Sequence, residues 1–286
     1  FFNGLIKKEK TMKKCIITAE TTCDLSPQLI EERGFKLIPI TVIVGNEEFK
    51  DGVNITSEEL FDYIKKTGNL PKTAALTEYE YEDFFTEVKK ECDEIIHFSI
   101  SSKASCTVQS AKKAAEKMDG VYVVDTKSLS TGEALLMLKA SDMLESGASA
   151  KEVYENICAL TEKVQTSFVI DVLDYLHKGG RCSLVALLGA KMLKLHPQIA
   201  EVDGALTVKK KYMGSLKRSL TQYITDLAAE YPEYDNTRAF VTHSPCDEQA
   251  LVDEVIAKVK ELFEFDEVIE TEAGATVSTH CGKNTP

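Results

Sequence analysis

Four hydroxyl side chains stand together in SISSKASCTVQS (99–110): Ser101, Ser102, Ser105 and Thr107. The segment follows a strand-like run, EIIHFSI (94–100), and opens a helix-like run over 107–118. A helix start leaves backbone N–H groups unpaired and carries the positive end of the dipole, so added hydroxyls there suit an anion. The plainer reading is that one Ser caps the helix. LPKTAAL (70–76) sets Thr73 on a loop after Pro71, where the ordinary role is a loop or cap hydroxyl. HKGGRCS (177–183) has a Gly179-Gly180 turn that can present Arg181. Arg is the natural partner of a carboxylate or phosphate, although most Arg side chains are simply solvated. THCG (279–282) puts His280 after a strand-like run, and an ordinary histidine would also fit there.

Other chemistry can be set aside on spacing. No two Gly are separated by one residue, so the glycine fingerprint of a dinucleotide site cannot occur. The chain has no GxxxxGK[ST], HExxH or GxSxG. Its eight Cys form no CxxC pair and several sit in apolar runs, as in KKCIIT, which reads as reduced, buried thiols of a cytoplasmic protein. Zinc would need His243, Cys246, His280 and Cys281 to converge; structural zinc ligands usually come in tight local pairs, so no metal is expected. A net charge of −12 and a pI near 5.0 lack the basic footprint of a nucleic-acid or anionic-membrane surface. No 18-residue apolar run is present, so no integral membrane span is expected. The first residues place charge after the apolar part, opposite to a secretory signal.

Two domains are expected from the length of 286 residues. Over 12–155, strand-like runs at 13–18, 35–44, 94–100 and 121–125 alternate with helical patterns at 27–33, 56–68, 77–91, 107–118 and 130–146. That rhythm predicts an α/β domain with a parallel sheet covered on both faces. Ser26-Pro27 opens the first helix and Gly34 stops it; Thr56 with Glu59 reads as a capping box. After about residue 150 the rhythm changes, and a second domain is expected over 156–286. A helix over 149–164 leads to a strand at 166–171, helix-like VALLGAKMLK and two short strands about Asp203-Gly204. A helix over 215–230, RAFVTH, a helix over 247–263 and EVIETE follow. This mixture predicts an α+β domain.

Taken together these segments resemble the DegV family of fatty-acid-binding proteins. TAETTCDLSPQLIEERGFKLIPITVIVGNEEFKDGVNIT (18–56), LPKT, ISSKASCTVQSA, VVDTKSLSTG (123–132) and FVIDVLDYLHKGGRCS (168–183) follow in the family's order. The likeness runs from Met12 to Gly282. It implies an α/β N-terminal and an α+β C-terminal domain with one long-chain fatty acid between them, and no cofactor or catalytic residue. Some members are the binding subunit of a fatty-acid kinase, so a kinase partner is implied as well. Residue by residue, Thr73 matches the threonine of the family's Pro-x-Thr loop and Ser105 a serine of its Ser-Ser-x-x-Ser motif. Both are expected to donate to the carboxylate, with Ser102 as a weaker candidate. Arg181 and His280 match the arginine after the Gly-Gly turn and the histidine of the C-terminal glycine loop. Both are expected near the head group.

The chain departs from the family pattern in several places. Cys106 stands where Gly is frequent, which would restrict the backbone beside Ser105. Ala74-Ala75-Leu76 replace Ser-Gln-Pro, Glu20 replaces Asp, and Met213 replaces an Arg. Residues 1–11 resemble the family's C-terminal tail, so they are expected either to supply the second domain's last strand or to be a leader. Two other functions remain open on the residues alone. One is an enzyme acting on a small anionic or phosphorylated substrate through the 101–107 loop. The other is an interaction module with a vestigial pocket.

Overall fold

The computed structural model describes residues 13–182 and 194–285. VALLGAKMLK lies almost wholly outside the described residues, as do residues 1–11.

The N-terminal half is built on four parallel strands: β1 (Lys13–Glu20), β2 (Lys36–Ile38), β6 (Cys92–Ser99) and β7 (Val121–Asp125), in the order β2-β1-β6-β7. Ile17 lies opposite Ile96, and Ile96 opposite Tyr122. Side chains alternate across a strand, so Ile16 and Ile95 face one apolar layer while Ile17 and Ile96 face the other. Helices α3 (Glu78–Val88) and α4 (Thr107–Ala115) cover the first through Tyr81, Phe85 and Ala111. Helices α5 (Thr131–Glu145) and α6 (Ala150–Leu160) cover the second through Met137, Val153 and Ile157. Coverage on both faces is what the β-branched runs require.

Local signals place the helix ends. Ser26 accepts from the Leu29 N–H, Pro27 begins α1 (Pro27–Arg33), and Gly34 closes it at φ 65°. Thr56 and Glu59 form the reciprocal capping box at the start of α2 (Ser57–Thr67). The run 35–44 divides. Ile38 ends β2, and β3 (Thr41–Val44) enters a separate antiparallel sheet between β4 (Glu47–Lys50) and β5 (Lys72–Ala74). Thr73 is therefore in a strand, opposite Val42, rather than on a loop.

In the C-terminal half, β8 (Ser167–Val169), β9 (Leu195–Val202) and β10 (Ala205–Met213) form an antiparallel sheet in the order β10-β9-β8. Asp203 and Gly204, both at positive φ, make the tight turn between β9 and β10. Strands β11 (Arg238–His243) and β12 (Glu267–Glu272) pair in parallel, under α8 (Leu216–Glu230) and α9 (Gln249–Leu262). Three elements differ from expectation. Residues 173–179 form a short helix, α7 (Leu173–Gly179), and the strand at 166–171 shrinks to β8. The strand-like run before His280 is a helix, α10 (Ala275–Cys281). Thr276, Val277 and Thr279 favour a strand. Tertiary contact overrides that, because Asp24 accepts from the Gly274 N–H and Asp51 from the N–H groups of Ala275 and Thr276. Among the described residues no helix is long and apolar enough to cross a membrane.

Candidate functional site

The carboxyl ends of the parallel strands, where open α/β sheets place their ligands, face α7 and α10 of the other half. Glu20 ends β1 and is fully buried. It accepts from Tyr81 Oη, from Ser99 Oγ at 2.7 Å and from the Ile100 N–H at 2.9 Å, with His97 Nε2 3.2 Å away. This network holds the chain as it leaves β6 for the hydroxyl-rich loop.

Within that loop the hydroxyls separate. Ser101 is buried and donates to the Gly204 carbonyl at 2.6 Å. Thr107 is buried with its Oγ1 3.5 Å from Ser99 Oγ, whose own hydrogen goes to Glu20. Ser105 Oγ, one residue before the N-cap Cys106, accepts from the Thr107 N–H at 3.3 Å, which leaves its own hydrogen for another acceptor. The expectation that one Ser caps the helix is not met, because the N-cap is Cys106, which makes no side-chain cap bond. Cys106 is exposed at φ −90°, ψ 5°, a conformation open to any residue, so the expected restriction beside Ser105 does not arise.

Thr73 Oγ1 lies 3.0 Å from His280 Nε2, joining β5 to α10. His280 Nδ1 is buried without a partner. An unpaired N–H there would be costly, so the hydrogen-bond network assigns the proton to Nε2. Thr73 Oγ1 then accepts from the ring and keeps its hydrogen for an anion. Burial first, and Arg181 second, push His280 down to about 4, so the ring is neutral at pH 7. Gly179 makes this packing possible, because a Cβ there would sit 2.5 Å from His280 Nδ1. Arg181 is exposed beyond the end of α7 and its Nη1 donates to the Gly179 carbonyl at 2.7 Å.

These groups converge. A cavity of about 70 Å³ is lined by Thr73, Ser105, Arg181 and His280, with Ile40, Leu176 and Leu206 among its apolar walls. Ser102 is not part of the lining; its N–H is tied to Asp125 Oδ1 at 3.1 Å. Ala74 and Ala75 line the cavity, while Leu76 is buried beside Ile38 and Tyr81, so this departure from the family pattern makes one wall apolar. Met213 is exposed at the end of β10. Two cavity residues missed in the sequence are Thr22 and Thr276. Thr22 stands two residues beyond Glu20, just past the end of β1, which is a signal that points there; Thr276 carries none. Asp24 and Asp51, which seat α10, are separated from it by more than 220 residues of chain, so no local pattern reveals them. Among the described residues no group of three or more His, Cys, Asp or Glu is placed to hold a metal, His243, Cys246, His280 and Cys281 included.

A family model described as "Uncharacterised protein, DegV family" matches residues 14–285. A DegV domain-containing protein of Caldanaerobacter subterraneus is 28% identical, over 95% of this chain and 96% of its own. A Thermus thermophilus structure, described as fatty acid binding of a DegV family protein, superposes with TM-score 0.86 at 24% identity, covering 96% of this chain and 97% of its own. A Thermotoga maritima protein, whose structure is described as revealing fatty acid binding function, superposes with TM-score 0.81 at 26% identity, covering 95% and 96%.

Proposed function

The chain belongs to the DegV family, and on that premise we propose that it binds one long-chain fatty acid between its two halves, with the carboxylate in the cavity above. The observation that carries this reading is the convergence of Thr73, Ser105, His280 and Arg181 on a space whose remaining walls are largely apolar. Thr73 and Ser105 donate to the carboxylate. Neutral His280 orients Thr73, and Arg181 supplies the positive charge at the rim. Ser102 drops out of the donor set, because it does not line the cavity.

The division of labour follows from magnitudes. Each buried CH₂ contributes about 0.8 kcal/mol, so a chain of sixteen carbons contributes roughly 10 kcal/mol before ordering costs. The head group must still be hydrogen-bonded, or its desolvation would cancel much of that gain. Leu176 and Leu206 line the cavity and also belong to the apolar cluster with Ile170 and Ile199, which gives the tail a direction. We read the two halves as two domains, with the boundary beyond α6 rather than at 155/156, because α6 (Ala150–Leu160) is continuous across that point and packs on the N-terminal sheet. The protein acts as a carrier rather than an enzyme, and exposed Arg181 suits presentation of the carboxylate to a partner fatty-acid kinase. The alternative, an enzyme using the 101–107 loop, has less support, because Ser101 and Thr107 are buried in internal hydrogen bonds. Equilibrium binding of a fluorescent fatty acid to wild type and to Thr73→Ala/Ser105→Ala tests the assignment; unchanged affinity in the double variant rejects these donors.

A further inference from the structure

Glu133 sits in the first turn of α5 and is fully buried. Its Oε1 has no hydrogen-bond partner, and its Oε2 lies 3.3 Å from Thr22 Oγ1. Thr22, itself buried, lines the same cavity as Thr73 and Ser105. The titratable groups that face Glu133 are Glu20 from β1, Cys23 and Asp24 just beyond it, Tyr81 from α3 and Glu201 from β9. None of these is a cation. His97 is turned elsewhere, with Nε2 3.2 Å from Glu20 and Nδ1 2.9 Å from Thr18. Glu20 has also drawn the nearby donors, Tyr81 Oη, Ser99 Oγ and the Ile100 N–H. An ionised Glu133 would be a buried charge with one hydroxyl to serve it and other carboxyls around it. The start of α5 favours an anion, but too weakly to offset full burial. Burial first, and Glu20 second, hold the carboxyl well above the usual carboxylate range, so at neutral pH it is the neutral acid.

A neutral carboxyl carries one hydrogen, and the geometry decides its place. On Oε1 it would be a buried donor without an acceptor; on Oε2 it meets Thr22 Oγ1. Thr22 then accepts from Glu133 and keeps its own hydrogen for the cavity that it lines. The other two cavity hydroxyls are backed in the same way, Thr73 by the His280 Nε2–H and Ser105 by the Thr107 N–H. We infer that Glu133 is a positioning residue for the head group: as a neutral acid it donates to Thr22 and so makes the Thr22 hydroxyl a third donor to the carboxylate. This rests on the fatty-acid reading of the cavity. A carboxylate offers more lone pairs than two hydroxyls can fill, so a third donor has a place on it. An ionised Glu133 would reverse the bond. It would draw the Thr22 hydrogen away from the cavity and set a second negative charge behind the first.

Binding of palmitate, read by displacement of a fluorescent fatty acid from the full chain, separates this role from simple packing. Glu133→Gln keeps a donor toward Thr22 and should bind within about twofold of wild type. Glu133→Leu removes the donor and should bind about tenfold more weakly, while its melting temperature holds or rises because an unpaired buried oxygen is gone. In a Thr22→Val background, Glu133→Leu should weaken binding no further, because the two residues act as one unit. Wild-type affinity in Glu133→Leu, an equal loss in Glu133→Gln, or additive losses would overturn the assignment while leaving the fatty-acid reading intact. A wild type that binds no palmitate overturns both. Infrared spectra decide the matter even if the Leu variant does not fold. The carbonyl band of protonated carboxyls at pH 7 should lose intensity in Glu133→Gln, and an unchanged band contradicts the neutral acid.

Discussion

Thr73 and His280 share one hydrogen bond, and the ring's tautomer decides what the hydroxyl can do. With the proton on Nε2, Thr73 keeps its hydroxyl hydrogen for an outside acceptor; Ser105, accepting from the Thr107 N–H, keeps its own as well. A hydrogen bond to a charged group contributes about 1.5–3 kcal/mol, so Thr73→Ala or Ser105→Ala alone should weaken fatty-acid binding roughly ten- to a hundredfold. Titration of each variant with a fluorescent acyl ligand checks this. Ser102→Ala should leave affinity near wild type, because Ser102 is outside the cavity. The histidine also makes a pH prediction. Its folded pKa of about 4 lies below its ordinary 6.5, so the unfolded chain takes up the proton first. Stability from this group is fully present above pH 6.5 and is lost as the pH falls toward 4. Buried Asp24, Asp51 and Glu133 act in the opposite sense. Burial raises all three, so their contribution favours the fold in acid and declines as the pH rises through their folded values. The readout is therefore a difference. Urea midpoints of wild type and His280→Gln should converge as the pH drops from 6.5 to 4, and a constant gap would contradict the neutral buried ring.

Helix α10 carries His280, and what seats it is Asp51, reaching the N–H groups of Ala275 and Thr276 at 2.9 and 3.0 Å. Removing that carboxylate leaves two buried donors unpaired. Asp51→Ala should cost about 2–4 kcal/mol in chemical denaturation and weaken acyl binding as well, through the displaced histidine. Loss of stability with full affinity would show that α10 is not what positions the site. The same helix shows where reading the sequence stops. Ser26, Gly34, Thr56 and Glu59 announce their helices because capping is local chemistry. The alternating Ile pairs of β1 and β6 announce the parallel sheet for the same reason. Nothing local announces α10, whose β-branched residues argue for a strand while its anchors come from distant chain. Thr73, Ser105, Arg181 and His280 were legible through resemblance to a family pattern. Their convergence on one head group was legible through that resemblance alone, since β5 is a 3-residue strand and α7 a 7-residue helix with no strong periodicity of their own.

At the scale of the molecule, the cavity proposed for the head group is lined from both halves: Thr73 and Ser105 come from one, Arg181 and His280 from the other. A ligand held there bridges them, and binding only the folded state must stabilise it. Delipidated protein given fatty acid at about a hundred times its Kd should gain about 2.7 kcal/mol, seen as a concentration-dependent rise in melting temperature. A net charge of −12 makes the local donors more necessary, because the surrounding field repels a carboxylate. The central claim, one fatty acid per chain, is tested most directly by native mass spectrometry of the freshly purified protein. The account predicts a folded species carrying the mass of one long-chain fatty acid, released as the free acid on denaturation. A folded chain that carries no such mass, and acquires none when fatty acid is supplied, would contradict it.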